Sequence, residues 1–400
     1  MSINNSRDFL AQANSDGSIV TDHLVAGRNV QLVPGAYTPD WDTNEFDSVT
    51  FKGTAGKDTL FGGGGEVFAF FMGTRGNDLY GVGPSPDVFV SAYVDYSGAK
   101  KGVFVDMSFR GSRTFTDADG DVRTVAVIGK ARDGFGGTDF FAASVEPGLE
   151  EFSSILGVFG TKHRDVMIGG GGFDDFYGGG GDDLLIGGFS SGGAGNDRLI
   201  GRASGDWQSG AFGDEGNDFL QGTDFIDFEL VGGAGNDRIY AGAGDDRYVT
   251  GNEGNDYIDG GAGNDFIDGG VGCDILVSGA GNDTINPDVE FFQSDSSQPR
   301  DGARDVILVT RADLGAYTDT VLFNAFEEGR DQIRFRDAVK GGRDFQVYQE
   351  EIETLPGRVN TILQIDQDGD GLGDGIPDAD DYFLVVRGAD LSLHDGYLLT

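Results

Sequence analysis

Ten aspartates hold one fixed place in a glycine-rich nine-residue unit: Asp174, Asp183, Asp197, Asp218, Asp237, Asp246, Asp256, Asp265, Asp274 and Asp283. The cleanest run starts at Gly232. It reads GGAGNDRIY, AGAGDDRYV, one extra Thr250, then GNEGNDYID, GGAGNDFID, GGVGCDILV and SGAGNDTIN, ending at Asn286. The pattern is G-G-x-G-x-D-x-U-x, with U a large apolar residue. Its chemistry is that of a hard-cation site. Calcium takes roughly six to eight oxygen ligands, drawn from carboxylates and backbone carbonyls. Glycines at positions 1, 2 and 4 reach positive φ without steric cost and can aim carbonyls inward. The position-6 Asp adds the carboxylate. Asp58, Asp78 and Asp165 occupy the same place in the more isolated units GTAGKDTLF, GTRGNDLYG and GTKHRDVMI.

The elements that must position these carboxylates follow from the same unit. Position 8 is Ile239, Tyr248, Ile258, Ile267, Leu276 and Ile285 in the clean run, an inward residue on a short strand. One nonamer makes a turn and a strand, and two complete a circuit. Each loop then stacks on the loop two repeats away, which gives a parallel β-roll with ions between stacked turns, about four from this run. The inserted Thr250 is expected to be absorbed in a turn and to distort one site, because a one-residue slip flips the faces of a strand. Without cations the aspartates would form a repulsive ladder only ~5 Å apart.

Three regions are expected. Residues 1–159 are a β-rich part holding two isolated repeats (53–81) and a block with β-like alternation; VAGRNVQLV (25–33) reads as a strand and 6–14 as the best short helix. Residues 160–286 are the repeat roll, interrupted between 187 and 231 by an insertion, the poor copy GRASGDWQS and the degenerate GTDFIDFEL. Residues 287–400 lose the glycine pattern and show period-2 apolar runs such as DVILVT and YFLVV, the strands of a compact β cap. The fold class is all-β.

Composition narrows the function. Asp and Glu total 68 against 28 Lys and Arg, a net charge of −40. That charge excludes nucleic acid and anionic membranes as electrostatic partners and opposes compaction unless cations neutralise it. In 232–286 there are nine Asp and one Glu against two Arg, and six of those Asp keep phase, which mere solubility would not require. Cys273 is the only cysteine, so no intrachain disulfide forms. The N-terminal residues lack a basic stretch followed by an apolar core, so no signal peptide is expected. No apolar run is long enough to span a bilayer as a helix.

Other motifs are weaker. DQDGDGLGDGIPDADD (366–381) spaces Asp366, Asp368 and Asp370 like the start of an EF-hand loop, but Pro377 stands where the bidentate Glu belongs. It reads as a further calcium loop or as an acidic hairpin. TDADGD (116–121) is a poorer version. GFSSG (188–192) matches a nucleophile elbow by pattern, yet it sits between repeats with no helical sequence after it. His163 replaces a turn glycine and Cys273 lies in a turn. The chain has three histidines and no H-E-x-x-H.

The nonamer resembles the RTX family, the calcium-binding repeats of proteins exported by type I secretion. The resemblance covers 53–81 sparsely and 160–286 densely. It implies a right-handed parallel β-roll, the position-6 Asp as principal side-chain ligand, and export in an unfolded, calcium-free state. VDYSGAKKGVFVDMSF (94–109) and EEFSSILGVFGTKHRDVMIGG (150–170) resemble the spacer common between RTX blocks. DTVLFNAFEEGRDQIRF (319–335) is similar to the cap of serralysin-type proteases, and ADLSLHDGYLLT to an uncleaved type I signal. The expected protein is secreted, extracellular and bacterial. It is non-catalytic, folds on calcium after passing the type I machinery, and touches an extracellular polysaccharide or cell surface. The rival expectation is an enzyme on acidic polysaccharide with its site in 1–159.

Overall fold

The computed structural model describes residues 9–13, 19–23, 31–34, 48–52, 57, 59–62, 68–82, 90–116, 122–142, 153–170, 174–202, 210–287, 303–310, 318–321, 326, 330–336, 345–351, 359–365, 382–387 and 398–399. Every regular element among them is a strand. The helix expected at 6–14 is therefore corrected: Phe9–Ala13 is a strand, parallel to Thr59–Gly62 and antiparallel to Ile19–His23. Two neighbours offering ladder hydrogen bonds outweigh a weak local helix preference. Of the strand expected at 25–33, Gln31–Pro34 is seen and 25–30 lie outside the described residues.

The chain divides into two compact units, 1–194 and 195–400. In the second unit, short strands alternate between two parallel sheets. One sheet stacks Arg198–Gly201, Phe219–Gln221, Arg238–Tyr240, Tyr257–Asp259 and Ile275–Val277. The other stacks Gly210–Glu215, Glu229–Ala234, Val249–Glu253, Phe266–Val271 and Thr284–Asn286. Leu220, Ile239, Ile258, Ile267, Leu276 and Ile285 are fully buried between them. This is the parallel β-roll that the repeat predicts. The parallel pairing does not end with the glycine pattern. Val306–Thr310 and Gln332–Arg336 extend the first sheet, and Thr318–Val321 and Tyr382–Val386 extend the second. Antiparallel Val359–Ile365 and Phe345–Glu351 then close the edge.

Tyr248 is not the inward residue of its repeat. Val249 is, with no exposure, and it pairs with Leu230 below and Ile267 above. Leu230 likewise stands three residues after its aspartate, Asp227. Two ten-residue repeats, 222–231 and 241–250, are thus stacked on each other. The extra residue lies between aspartate and core residue, on the strand side. The extra residue is thus absorbed in the strand and not in a turn, and the aspartate ladder runs on past it from Asp227 to Asp246 to Asp265.

The first unit also coils in parallel, well before residue 160. Ser48–Lys52, Phe68–Met72, Val90–Asp95, Ser153–Phe159, Asp175–Gly180 and Phe189–Ala194 form one stack. Phe70, Tyr93, Phe159 and Tyr177 line up along it, with the Phe159 and Tyr177 rings stacked 4.5 Å apart and nearly parallel. On the other side, Thr59–Gly62, Leu79–Val82 and Thr138–Ala142 are parallel. A long antiparallel hairpin, Gly111–Thr116 with Val122–Arg132, is inserted beside them. The GFSSG match lies in and beside the strand Phe189–Ala194, with Ser190 buried, so it makes no strand-to-helix elbow.

Candidate metal centre

The turn geometry explains each glycine separately. Positions 2 and 4 have positive φ, as at Gly233 (112°) and Gly235 (142°). Two position-2 exceptions, Asp214 (73°) and Asn252 (70°), adopt the left-handed region too. Position 1 does not, which corrects the expectation that all three glycines serve φ. It is small because a Cβ on Gly232 would sit 2.5 Å from Asp237 Oδ2 and 2.8 Å from the Gly251 carbonyl oxygen. Position-4 carbonyls point along the stack: a Cβ on Gly235 would overlap the Gly216 oxygen, and one on Gly254 the Gly235 oxygen. Carbonyl oxygens therefore face the gap between successive turns.

Into the same turns project the aspartates, arranged as two columns in the second unit. Each Oδ1 accepts the backbone N–H of the aspartate one coil earlier. In the first column Asp197 donates to Asp218 (2.6 Å), Asp218 to Asp237, Asp237 to Asp256 (both 2.7 Å) and Asp256 to Asp274 (2.8 Å). In the second, Asp227 donates to Asp246 (2.7 Å), Asp246 to Asp265 (2.9 Å) and Asp265 to Asp283 (2.8 Å). In the first unit Asp165 donates to Asp183 (2.7 Å). A second, exposed ladder runs outside through position 5, where Asn236 bonds to Asn217 and Asn255 to Asn236. Cys273 takes an Asn place in it through its backbone N–H.

The second carboxylate oxygen separates the candidates. Oδ2 of Asp218, Asp237, Asp246, Asp256, Asp265 and Asp283 is buried with no hydrogen-bond partner. Asp165 Oδ2 instead accepts its own turn's Thr161 N–H (2.6 Å), and Asp174 Oδ2 that of Gly170 (2.7 Å). Asp78 Oδ2 accepts the Thr74 and Tyr80 hydroxyls. His163 engages Thr161 through its backbone. Asp58, Asp366, Asp368 and Asp370, with 117–121 of the TDADGD motif, lie outside the described residues.

Five ladder members escape a sequence reading. Asp227 sits in the degenerate repeat, buried, with Oδ2 on Thr223 N–H. Asp305 accepts from Asp274 (2.8 Å), Asp319 from Asp283 (3.1 Å) and Asp331 from Asp305 (3.0 Å), all beyond the glycine pattern. Asp139 accepts from Asp78 (2.9 Å), and its other oxygen takes the Tyr96 hydroxyl (2.9 Å). Two of them left a signal: Asp227 is the sixth residue of the degenerate repeat GTDFIDFEL, and Asp139 lies in the G-x-G-G-T-D-F-F string at 134–141.

Burial dominates the electrostatics and raises these carboxyls. Asp237 is pushed up to about 6, Asp218, Asp256 and Asp265 to about 7, and Asp246 to about 8. The N–H donors only partly offset this. Asp283, buried and facing Asp319, rises to about 9. At neutral pH the columns hold partly protonated or frustrated charge. Two like charges ~5 Å apart at an effective dielectric of ~20 repel by about 3 kcal/mol. Among the described residues no three His, Cys, Asp or Glu side chains converge on one point. The donor set is therefore one orphaned carboxylate oxygen in each of the six turns of Asp218, Asp237, Asp246, Asp256, Asp265 and Asp283, with backbone carbonyls around it. That all-oxygen, carbonyl-rich mixture suits Ca²⁺ and lacks the nitrogen and sulfur donors typical of zinc.

The family model of the RTX calcium-binding nonapeptide repeat (4 copies) matches over five spans, residues 50–66, 159–190, 189–207, 212–248 and 250–285. No curated protein matches the chain. These repeats are calcium-binding, and the orphaned oxygens of Asp218, Asp237, Asp246, Asp256, Asp265 and Asp283 lie within the matched spans.

Proposed function

We propose, from the premise that this chain is an RTX-repeat calcium-binding protein, that it is secreted unfolded and that calcium outside the cell drives its folding. The observation that carries this is the row of buried Oδ2 atoms without partners, on carboxyls raised by burial. Closing the roll without a cation strands those charges; calcium supplies the missing partner. Extracellular calcium modules bind with Kd of roughly 10⁻⁴–10⁻³ M. At millimolar calcium each site then adds on the order of 0.5–1.5 kcal/mol. Several such sites are a large share of a domain's stability of about 5–15 kcal/mol. In a cytoplasm poor in free calcium the acidic chain stays open, the state a type I exporter can thread.

The folded protein acts by binding, in an extracellular structural or surface-contact role, without catalysis. The fold is tested by far-ultraviolet circular dichroism in chelator and in 10 mM calcium, a concentration about a hundredfold above the tighter Kd. Coil in the first and β-structure in the second is expected. Identical spectra refute calcium-driven folding.

A further inference from the structure

The first unit carries a reversal of the chain's charge. Residues 100–132 hold seven of the 28 Lys and Arg, and only four of the 68 acidic residues. Where the inserted hairpin meets the parallel strands Leu79–Val82 and Thr138–Ala142, there is an open groove of about 440 Å³. That volume is within the range of small-molecule clefts, about 300–1,000 Å³.

The groove is rich in hydrogen-bond donors. Lys57 and Arg113 are exposed and line it, and neither is ion-paired among the described residues. Arg113 spends one N–H on the Ser112 carbonyl and stacks its guanidinium 3.6 Å over the Phe140 ring. The other guanidinium N–H groups, of five in all, remain for a ligand. Asn77, exposed in the lining, accepts the Thr138 N–H through its Oδ1, so its amide N–H groups are not used in that bond. Asp78 is the single carboxylate in the lining, and it is turned inward, fully buried under the Thr74 and Tyr80 hydroxyls. Phe115 and Phe140, half-buried against the small core of Leu79, Val125 and Ala142, form an apolar wall.

A ligand for this groove must be anionic, must offer many acceptors, and must carry one apolar face. A sugar acid has all three: a carboxylate, a rim of hydroxyls and a C–H face that packs on aromatic and guanidinium planes. We propose that the groove binds a hexuronate unit of an acidic polysaccharide. Arg113 and Lys57 hold its carboxylate, and Phe115 and the Phe140–Arg113 stack hold its ring. Screening lets this work on an acidic protein, since the Debye length is about 8 Å at physiological ionic strength. The site deepens the surface-contact role and needs calcium only to keep the chain folded.

The test is isothermal titration calorimetry of the full chain in calcium buffer. The probes are tetragalacturonate, its neutral methyl ester and an oligothymidylate of equal charge. Tetragalacturonate should bind, with the methyl ester at least about tenfold weaker. Arg113→Gln and Lys57→Gln should each weaken binding about tenfold, which is 1.4 kcal/mol. The calcium-induced dichroism of both variants should be unchanged. Unchanged affinity in both variants would mean calcium bridging to the acidic surface and overturns the proposal. So does equal binding of the methyl ester or oligothymidylate, or no heat at millimolar ligand. Failure of calcium-driven folding would show separately, as identical spectra in chelator and calcium.

Discussion

Substituting Asp265 by Asn separates the two tasks of a ladder carboxylate. Asp265 is almost fully buried. Its Oδ1 accepts the Asp246 N–H at 2.9 Å, while its own N–H donates to Asp283 at 2.8 Å. Its Oδ2 has no hydrogen-bond partner. Asn keeps the Oδ1 acceptor and removes the charge. Burial lifts the Asp265 carboxyl from 3.8 to about 7. Holding it ionised at pH 8 in a calcium-free fold therefore costs about 4 kcal/mol. Asp265→Asn removes that cost, so in chelator at pH 8 the variant should be at least as stable as the wild type. In calcium the order should reverse. A site at a hundredfold excess over Kd contributes about 2.7 kcal/mol. Losing it lowers Tm by about 5–10 °C for a unit of this size. The assay is thermal unfolding by circular dichroism in calcium and, in chelator, the β-signal induced by a folding osmolyte, with bound calcium counted by equilibrium dialysis. Equal destabilisation in chelator and calcium would refute the reasoning and make Asp265 a hydrogen-bond acceptor only. A wild-type calcium count in the variant would refute it as well.

The raised carboxyls fix a pH dependence. Their folded pKa values exceed the unfolded ones, so their stability contribution is complete below about pH 4. It is lost as pH climbs through about 6 for Asp237, 7 for Asp256 and 9 for Asp283. In chelator, β-structure should thus increase on acidification from pH 9 to 5, whereas calcium affinity should fall over the same range as protons compete. Dichroism with a calcium titration at each pH checks both signs. Gly254→Ala places a Cβ against the Gly235 carbonyl at φ 139° and should cost about 1–3 kcal/mol, read by denaturant midpoint in calcium. Deleting Thr250 should destabilise rather than regularise the roll. It breaks the match of Val249 with Leu230 and exposes a buried side chain worth about 1.5–3 kcal/mol, measured the same way. Asp319→Ala leaves the buried Asp283 N–H without its acceptor and should cost about 1–3 kcal/mol, although it lies outside the repeats.

The sequence carried the repeating part of this protein because the repeat is its own instruction. A glycine turn, an aspartate and an apolar residue recur at fixed phase, so a local rule propagates into the parallel roll and into Asp237, Asp246, Asp256, Asp265, Asp274 and Asp283. It misread position 1, where the limit is space beside the carboxylate and not φ, since a contact distance leaves no mark distinct from a turn preference. It placed Tyr248 in the core because phase was counted through the ten-residue repeat, and only the partner repeat at 222–231 shows which residue faces inward.

What the sequence by itself determined is the coil, its cation chemistry and the residues that build both. The tertiary structure alone decided where the aspartate columns stop and which carboxylates remain in need of an ion. Asp305, Asp319 and Asp331 join the columns from sequence without glycine turns, because strands stacked at parallel register bring their N–H and carboxylate groups together. Asp165 and Asp227 lose their vacancy to an N–H of their own turn. Those Oδ2 bonds come from Thr161 and Thr223, four residues back and inside the unit, whereas the Oδ1 atoms along the columns are met by N–H groups a coil away, which no nine-residue window contains.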